Sequence, residues 1–182
     1  PMLVGWPPVM LPLHVAMLEL VIDPACSLAF ESEPEPPNVM QRPPRDTQAP
    51  LFGAQAIGLA MGQGLCVLAG VALTFALAQI WTSAWTPSWA ASWLAFLPSA
   101  APTLSEAQIR AMVFVTLIAG NAALILSNRA GGGQFWRSWR TPNATAFALI
   151  GMAGVLLAVA IQWPWLSVPL KFEPPPLWPL LI

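Results

Sequence analysis

The sequence is poor in charge and contains no tyrosine. Only 8% of its 182 residues are charged, and it has one histidine and two cysteines. A soluble domain carries about 25% charged residues, so this composition excludes an ordinary soluble protein. The chain also lacks a basic patch, since seven basic residues are offset by eight acidic ones, and we therefore expect no nucleic-acid partner. The two cysteines lie in separate apolar runs, which argues against a disulfide framework.

The sequence is instead rich in long apolar runs. Hydrophobic residues make up 57% of the chain, and the mean hydropathy is +0.65. Four runs are long enough to cross a bilayer as helices, at about residues 10–30, 62–81, 107–128 and 143–163. A fifth apolar run begins at about residue 177 and is cut short. The sequence thus predicts an all-α membrane protein, a bundle of four transmembrane helices plus a truncated fifth, surrounded by membrane lipid.

The distribution of basic residues predicts the orientation of the spans. Five of the seven lie in two of the loops, the proline-rich 31–50 and 128–142. Because positively charged loops stay inside, we expect both loops to be cytoplasmic. The tryptophan-rich loop 82–104 is then an outer loop. The whole is predicted to be a multi-pass protein of the plasma membrane.

Polar residues near the predicted helix ends have plain structural interpretations. Thr103 and Glu106 have the spacing of a capping box at the start of the third span. His14 is expected to be an interfacial histidine at the mouth of the first span, although it lies close enough to Glu19 to influence that acid. Arg110 is expected to extend to the lipid headgroups.

The most informative feature is a pair of acids inside the first span. Glu19 and Asp23 lie one helical turn apart, and Pro24 follows directly. Ionisable residues at membrane depth are costly and mark functional sites. Pro24 cannot donate a hydrogen bond to the carbonyl of Leu20, so we expect the helix to be interrupted beside the carboxylates. Carboxylates with free carbonyl oxygens are ligands for hard cations, which predicts a cation site.

One segment resembles the cation-pumping P-type ATPases. LELVIDPACSLAFESEPEPPNVMQRPPR is similar to their sixth transmembrane helix and the cytoplasmic loop after it. That family has an acid or amide, an aspartate four residues later, an aromatic residue with an acid, and then a PPR motif. The matching features here are Glu19, Asp23, Phe30–Glu31 and Val39–Arg45. The number and spacing of the later spans resemble helices seven to ten of the same family.

The resemblance implies ligand positions. Glu19 and Asp23 correspond to sixth-helix cation ligands, and Asn121 corresponds to an eighth-helix amide ligand of calcium-pumping members. Two positions depart from the pattern, because Ile22 and Ile118 stand where such pumps have a threonine and a glutamate. Ile22 removes a side-chain oxygen, and we expect the departure at Ile118 to remove a second complete cation site.

The resemblance also implies that the ATP-binding and phosphorylated parts of the pump lie outside this sequence. The sequence contains no DKTGT phosphorylation motif, so ATP and Mg²⁺ would bind only to another part of the parent pump. The chain begins with Pro1 and ends at Ile182 within an apolar run, and we expect it to be part of a longer protein. Its partners would then be the N-terminal helices and cytoplasmic domains of the same pump.

The function predicted from the sequence is part of the ion-translocation domain of an ATP-driven pump, which we expect in a bacterial inner membrane. Ca²⁺ is the first choice of transported cation because two carboxylates and carbonyl oxygens suit it. Na⁺, K⁺ and H⁺ remain open, since the sodium-pumping members also have a carboxylate at the position of Glu19. The alternative is a non-catalytic membrane scaffold or regulator with the same fold.

Overall fold

The computed structural model describes residues 8–33, 39–41, 43, 53–81, 104–129 and 143–175. All regular secondary structure within these ranges is helical. In chain order the helices are α1 (Pro12–Glu31), a single 3-10 turn (Val39–Gln41), α2 (Ala54–Trp81), α3 (Glu106–Arg129), α4 (Ala144–Gln162) and α5 (Pro164–Leu170). The predicted all-α membrane fold is confirmed, because α1, α2, α3 and α4 are each long and apolar enough to cross a membrane.

One helix boundary and one short helix differ from the sequence prediction. Helix α2 begins at Ala54, eight residues before the predicted start, and is 28 residues long. The added residues AQAIGLAM are mostly strong helix formers and contain no proline, so they extend the helix. The short α5 was not predicted at all. It begins at Pro164, a residue type well suited to the first turn of a helix. The possible span from residue 177 and most of the outer loop 82–104 lie outside the described residues.

The expected interruption of α1 at Pro24 is wrong. The helix is continuous from Pro12 to Glu31, and Asp23 and Pro24 both lie within it. Proline removes only its own N–H from the hydrogen-bond ladder, here the one that would bond to the carbonyl of Leu20. In a membrane no water replaces lost backbone hydrogen bonds, so keeping the rest of the ladder is the least costly arrangement.

Helix α3 lies at the centre of the bundle. It packs against α1, α2 and α4, whereas α2 packs mainly against α3. We call the end of the bundle that holds His14 and Leu170 the outer end, and the end that holds Glu33 and Arg129 the cytoplasmic end, following the orientation predicted from the loops. The core at the outer end combines side chains from α3, α4, α5 and the residues after it: Ala111, Phe114, Ile118, Ala160, Ile161, Leu170 and Phe172.

Close packing joins α2 to α3. A Cβ atom added to Gly120 would lie 2.9 Å from a methyl carbon of Val67, so the two helices approach closely because residue 120 has no side chain. One turn earlier in α3, the hydroxyl of Thr116 lies 3.2 Å from that of Thr74 on α2. Small residues and interhelical hydroxyl contacts are the usual means by which membrane helices associate.

The capping box of α3 lies two residues later than predicted. Ser105 Oγ accepts a hydrogen bond from the backbone N–H of Gln108 at 3.1 Å, and Gln108 Oε1 accepts one from the N–H of Ser105 at 3.0 Å. The helix therefore begins at Glu106 itself. Glu106 occupies the first turn, where a negative charge interacts favourably with the helix dipole.

Candidate cation site

Helix α1 has one packed face and one open face. His14, Ala25 and Ala29 are buried against the other helices. Glu19 and Asp23 are both exposed and lie together on the face that these helices leave uncovered. Ser27 lies one turn further along the same face and is exposed as well. The structure thus brings the two acids together on one surface.

Both acids lie near the middle of the span. At 1.5 Å per residue, Glu19 and Asp23 are roughly 11 and 17 Å along the 20-residue helix. Within the described ranges, neither carboxylate has a hydrogen bond or an ion pair with another side chain. In the same ranges, no three His, Cys, Asp or Glu side chains lie close enough together to hold a metal ion. Two carboxylates alone are too few to coordinate a hard cation such as Ca²⁺, which takes six to eight oxygen ligands.

The third predicted ligand, Asn121, is on α3 and half-buried. Its amide nitrogen donates a hydrogen bond to the carbonyl of Leu117 in the preceding turn, at 2.9 Å. That bond uses the nitrogen, and the amide oxygen accepts no hydrogen bond from any residue that the structure describes. No hydrogen bond joins Asn121 to either acid of α1 among the contacts of the described residues.

The two positions that depart from the family pattern are part of the hydrophobic core. Ile118 is buried in the outer core cluster, with 7% of its surface exposed, and Ile22 packs against that cluster. A glutamate at position 118, like a threonine hydroxyl at position 22, would be placed among apolar atoms. These surroundings fit isoleucine well and a charged ligand poorly.

The outer end of α1 is held by a buried histidine, which corrects the expected interfacial position. His14 is completely buried. Its Nδ1 accepts a hydrogen bond from the N–H of Leu11 at 3.1 Å, and its Nε2 lies 2.6 Å from the carbonyl oxygen of Leu170. A carbonyl only accepts, so Nε2 carries the ring hydrogen. The ring also stacks on Phe172, with centroids 4.7 Å apart.

Arg110 is buried too and does not extend to the headgroups. Only 9% of its surface is exposed, and its Nη1 donates to the carbonyl of Lys171 at 3.2 Å. Leu170 is the last residue of α5 and Lys171 its C-cap. Positively charged and hydrogen-donating groups are favourable at a helix C-terminus, where carbonyls lack partners. His14 and Arg110 thus join the end of α5 to α1 and α3.

At the cytoplasmic end, a salt bridge connects α1 to α3 and α4. Glu33 Oε2 accepts hydrogen bonds from Arg129 Nε at 2.8 Å and from Asn143 Nδ2 at 3.0 Å. Burial alone would raise the pKa of Glu33. The hydrogen bonds from both partners and the charge of Arg129 outweigh burial and lower that pKa below its ordinary value. Asn143 also caps α4, because its Oδ1 accepts from the N–H of Ala146 at 3.0 Å.

Sequence reasoning missed this cytoplasmic cluster. Glu33 lies in a proline- and glutamate-rich segment that indicates a linker, and Arg129 counts only as one of several loop cations. One usable signal was Asn143, since an asparagine directly before an apolar helical run is typical of an N-cap. Ser27 was missed as well, although its spacing of four residues from Asp23 places it on the same helical face.

The comparisons with known proteins agree with the helical membrane architecture. Residues 7–182 match the family described as cation transporting ATPase, C-terminus. No curated protein and no solved structure matches the chain. The family match covers nearly the whole sequence, including all the membrane-spanning helices described above. The chain belongs to this family and is therefore a C-terminal region of a cation-transporting ATPase.

Proposed function

We propose that this chain forms part of the cation path of an ATP-driven pump, with Glu19 and Asp23 as cation ligands. The observation that supports this most strongly is the position of the two carboxylates. They lie one turn apart, midway along a membrane-spanning helix, on the face that α3 and α4 leave uncovered. Two ionised acids in that position are costly without a compensating charge, and one divalent cation between them compensates both.

The available oxygen donors favour one site in this part of the pump. Asn121 is proposed as a third ligand on the family resemblance alone, since no hydrogen bond among the described residues joins it to either acid. Ile118 offers no oxygen and belongs to the apolar core, so a second carboxylate-lined site has no ligand there. The remaining oxygens would come from other membrane helices of the same pump, which we propose as the partners of the open face of α1.

Ca²⁺ is the proposed cargo, because a flexible set of carboxylate and amide oxygens suits it. Na⁺, K⁺ and H⁺ are the competing cargoes that an ion panel distinguishes. ATP and Mg²⁺ would act at the cytoplasmic part of the pump, outside this chain. The proposed location is the plasma membrane of a bacterium, with lipid around the outer surfaces of the helices.

The test is cation-stimulated ATP hydrolysis by the full-length ATPase that carries this chain. Activity is measured against Ca²⁺, Na⁺, K⁺ and pH, in the wild type and in Glu19→Gln and Asp23→Asn. We expect each substitution to abolish the stimulation or to raise the half-saturating cation concentration. Glu31→Gln is the matched control, because Glu31 is an exposed acid at the end of the same helix.

Unchanged stimulation in both variants would overturn the proposal. It would favour the alternative, in which the chain is a scaffold or regulator that shares the fold of the pump. A wild-type protein that hydrolyses ATP without responding to any cation in the panel would have the same consequence.

A further inference from the structure

The apolar surface of α1 does not determine which of its faces packs against the bundle. Large hydrophobic side chains lie on the open face as well as on the packed one, and those exposed are Leu13, Val15, Leu20, Leu28 and Phe30. A helix that is hydrophobic all round has no apolar stripe to select one orientation about its axis. Something other than hydrophobic contact must therefore fix the rotation of α1.

The two acids do not fix it either. Among the described residues, neither Glu19 nor Asp23 has a hydrogen bond or an ion pair that could hold α1 at one rotation. Contacts made by other residues of α1 must therefore hold the helix at the rotation that the structure has. Between the two ends, the packed face makes only apolar contacts, which carry no directional bond, through buried alanines and partly buried larger side chains: Ala25, Ala29, Met17, Leu18 and Ile22.

Directional contacts occur at both ends of the helix. At the outer end, the buried His14 ring contacts two residues outside α1, through a hydrogen bond to the carbonyl of Leu170 and by stacking on Phe172. Hydrogen bonds of this kind require a defined geometry. Because Leu170 belongs to α5, the ring fixes α1 relative to another helix.

At the cytoplasmic end, Arg129 holds α1 relative to α3 through its salt bridge with Glu33. The Arg129 side chain is completely buried, and Nε is the atom that donates to Glu33. Its guanidinium also lies 5.8 Å from the centre of the Phe147 ring on α4. Ser32 adds a second contact there, because its carbonyl accepts from Asn143 Nδ2 at 3.4 Å.

Helical geometry connects these contacts to the acids. At about 100° per residue, Glu19 and Asp23 lie about 140° and 180° around the axis from His14. Holding His14 against α5 therefore turns both carboxylates to the opposite side. We infer that His14 and Arg129 are positioning residues for cation binding, which fix the rotation of α1 and so direct Glu19 and Asp23 toward the cation path. This inference rests on the function proposed above.

The test combines a rotation assay with cation titration in the full-length ATPase. Ala29 and Ala146 belong to the same buried cluster between α1 and α4. Ala29→Cys and Ala146→Cys are introduced together into an otherwise cysteine-free protein, and the yield of the disulfide cross-link reports whether α1 keeps its rotation. His14→Leu and Arg129→Met are then added singly. His14→Gln and Arg129→Lys, which retain a donor, serve as conservative variants.

We expect His14→Leu and Arg129→Met to lower the cross-link yield and to raise the half-saturating cation concentration about tenfold, equivalent to about 1.4 kcal/mol. Turnover at saturating cation should stay near the wild-type value, because the acids themselves are intact. The conservative variants should have a cross-link yield and a half-saturating cation concentration between those of the wild type and the disruptive variants. If the substitutions only destabilised the fold, they would instead reduce turnover and leave the half-saturating cation concentration unchanged.

Three outcomes would overturn the inference: an unchanged cross-link yield, a reduced yield with unchanged cation affinity, or equal effects of the conservative and disruptive substitutions. The proposed function is judged separately. If the wild type shows no cation stimulation, that function fails, whereas the cross-link yields still report whether His14 and Arg129 fix the rotation of α1.

Discussion

The buried Arg129 forms a salt bridge with the half-buried Glu33, 96 positions away in the chain, with Nε and Oε2 separated by 2.8 Å. Arg129 is the last residue of α3, and Glu33 follows the end of α1. A fully buried guanidinium requires a compensating acceptor, because the cost of removing it from water is large. The pair consequently makes the cytoplasmic ends of two spans dependent on each other.

Removal of the Glu33 carboxylate should destabilise the helical bundle. We expect Glu33→Ala to cost about 3–5 kcal/mol, because it leaves the buried Arg129 without its partner. Glu31→Ala is the control, since Glu31 is exposed and two residues away. Detergent-solubilised protein is heated and the apparent melting temperatures are compared. Equal shifts in the two variants would show that the salt bridge contributes no stability.

The same carboxylate predicts a pH dependence. The pKa of Glu33 is lowered in the folded protein by Arg129 and Asn143. A lowered pKa means that the stabilisation is present above the pKa of the unfolded state and is lost as the pH falls through the folded value. The difference in melting temperature between the wild type and Glu33→Gln should therefore shrink on acidification below about pH 4.3, the ordinary value for glutamate. A difference that stays constant with pH would contradict the assignment.

Substitutions of Ile118 test whether this residue belongs to the hydrophobic core or borders a cation site. Its side chain is 7% exposed and packs with Ala111 and Phe114. Ile118→Glu should destabilise the protein strongly, because it buries a charge among apolar atoms, and Ile118→Leu should cost less than about 1.5 kcal/mol. Melting temperatures and cation titrations of both variants provide the test. If Ile118→Glu were stable and raised the cation affinity, this position would border a cation site.

Gly120 should be intolerant of any side chain. Because an added Cβ would lie 2.9 Å from Val67, Gly120→Ala must push α2 and α3 apart or displace that valine. Gly151→Ala in α4 is the matched control, since no atom lies within 4 Å of its added Cβ. We expect Gly120→Ala to lower the melting temperature and Gly151→Ala to leave it unchanged or raise it, because alanine favours helix by about 1 kcal/mol. Equal effects would show that α2 does not pack closely at Gly120.

Much of the fold follows from the order of residues alone. Four apolar runs are long enough to cross a bilayer, and in hydrocarbon the backbone must satisfy its own hydrogen bonds, so these runs become helices. The family resemblance was carried by Glu19, Asp23 and the PPR motif, and the family is confirmed. The spacing of the two acids also fixes that they share a helical face, whatever surrounds that face.

The tertiary structure alone determines which way that face turns. Nothing in α1 itself predicts that His14 is buried or that Glu33 pairs with Arg129, because both depend on residues far away in the chain. The same is true of Ile118, whose apolar surroundings come from several helices. Periodicity assigns faces only when a helix is polar on one side, and α1 carries large apolar side chains all round. Its orientation therefore depends on hydrogen bonds and a salt bridge that exist only after the helices have packed.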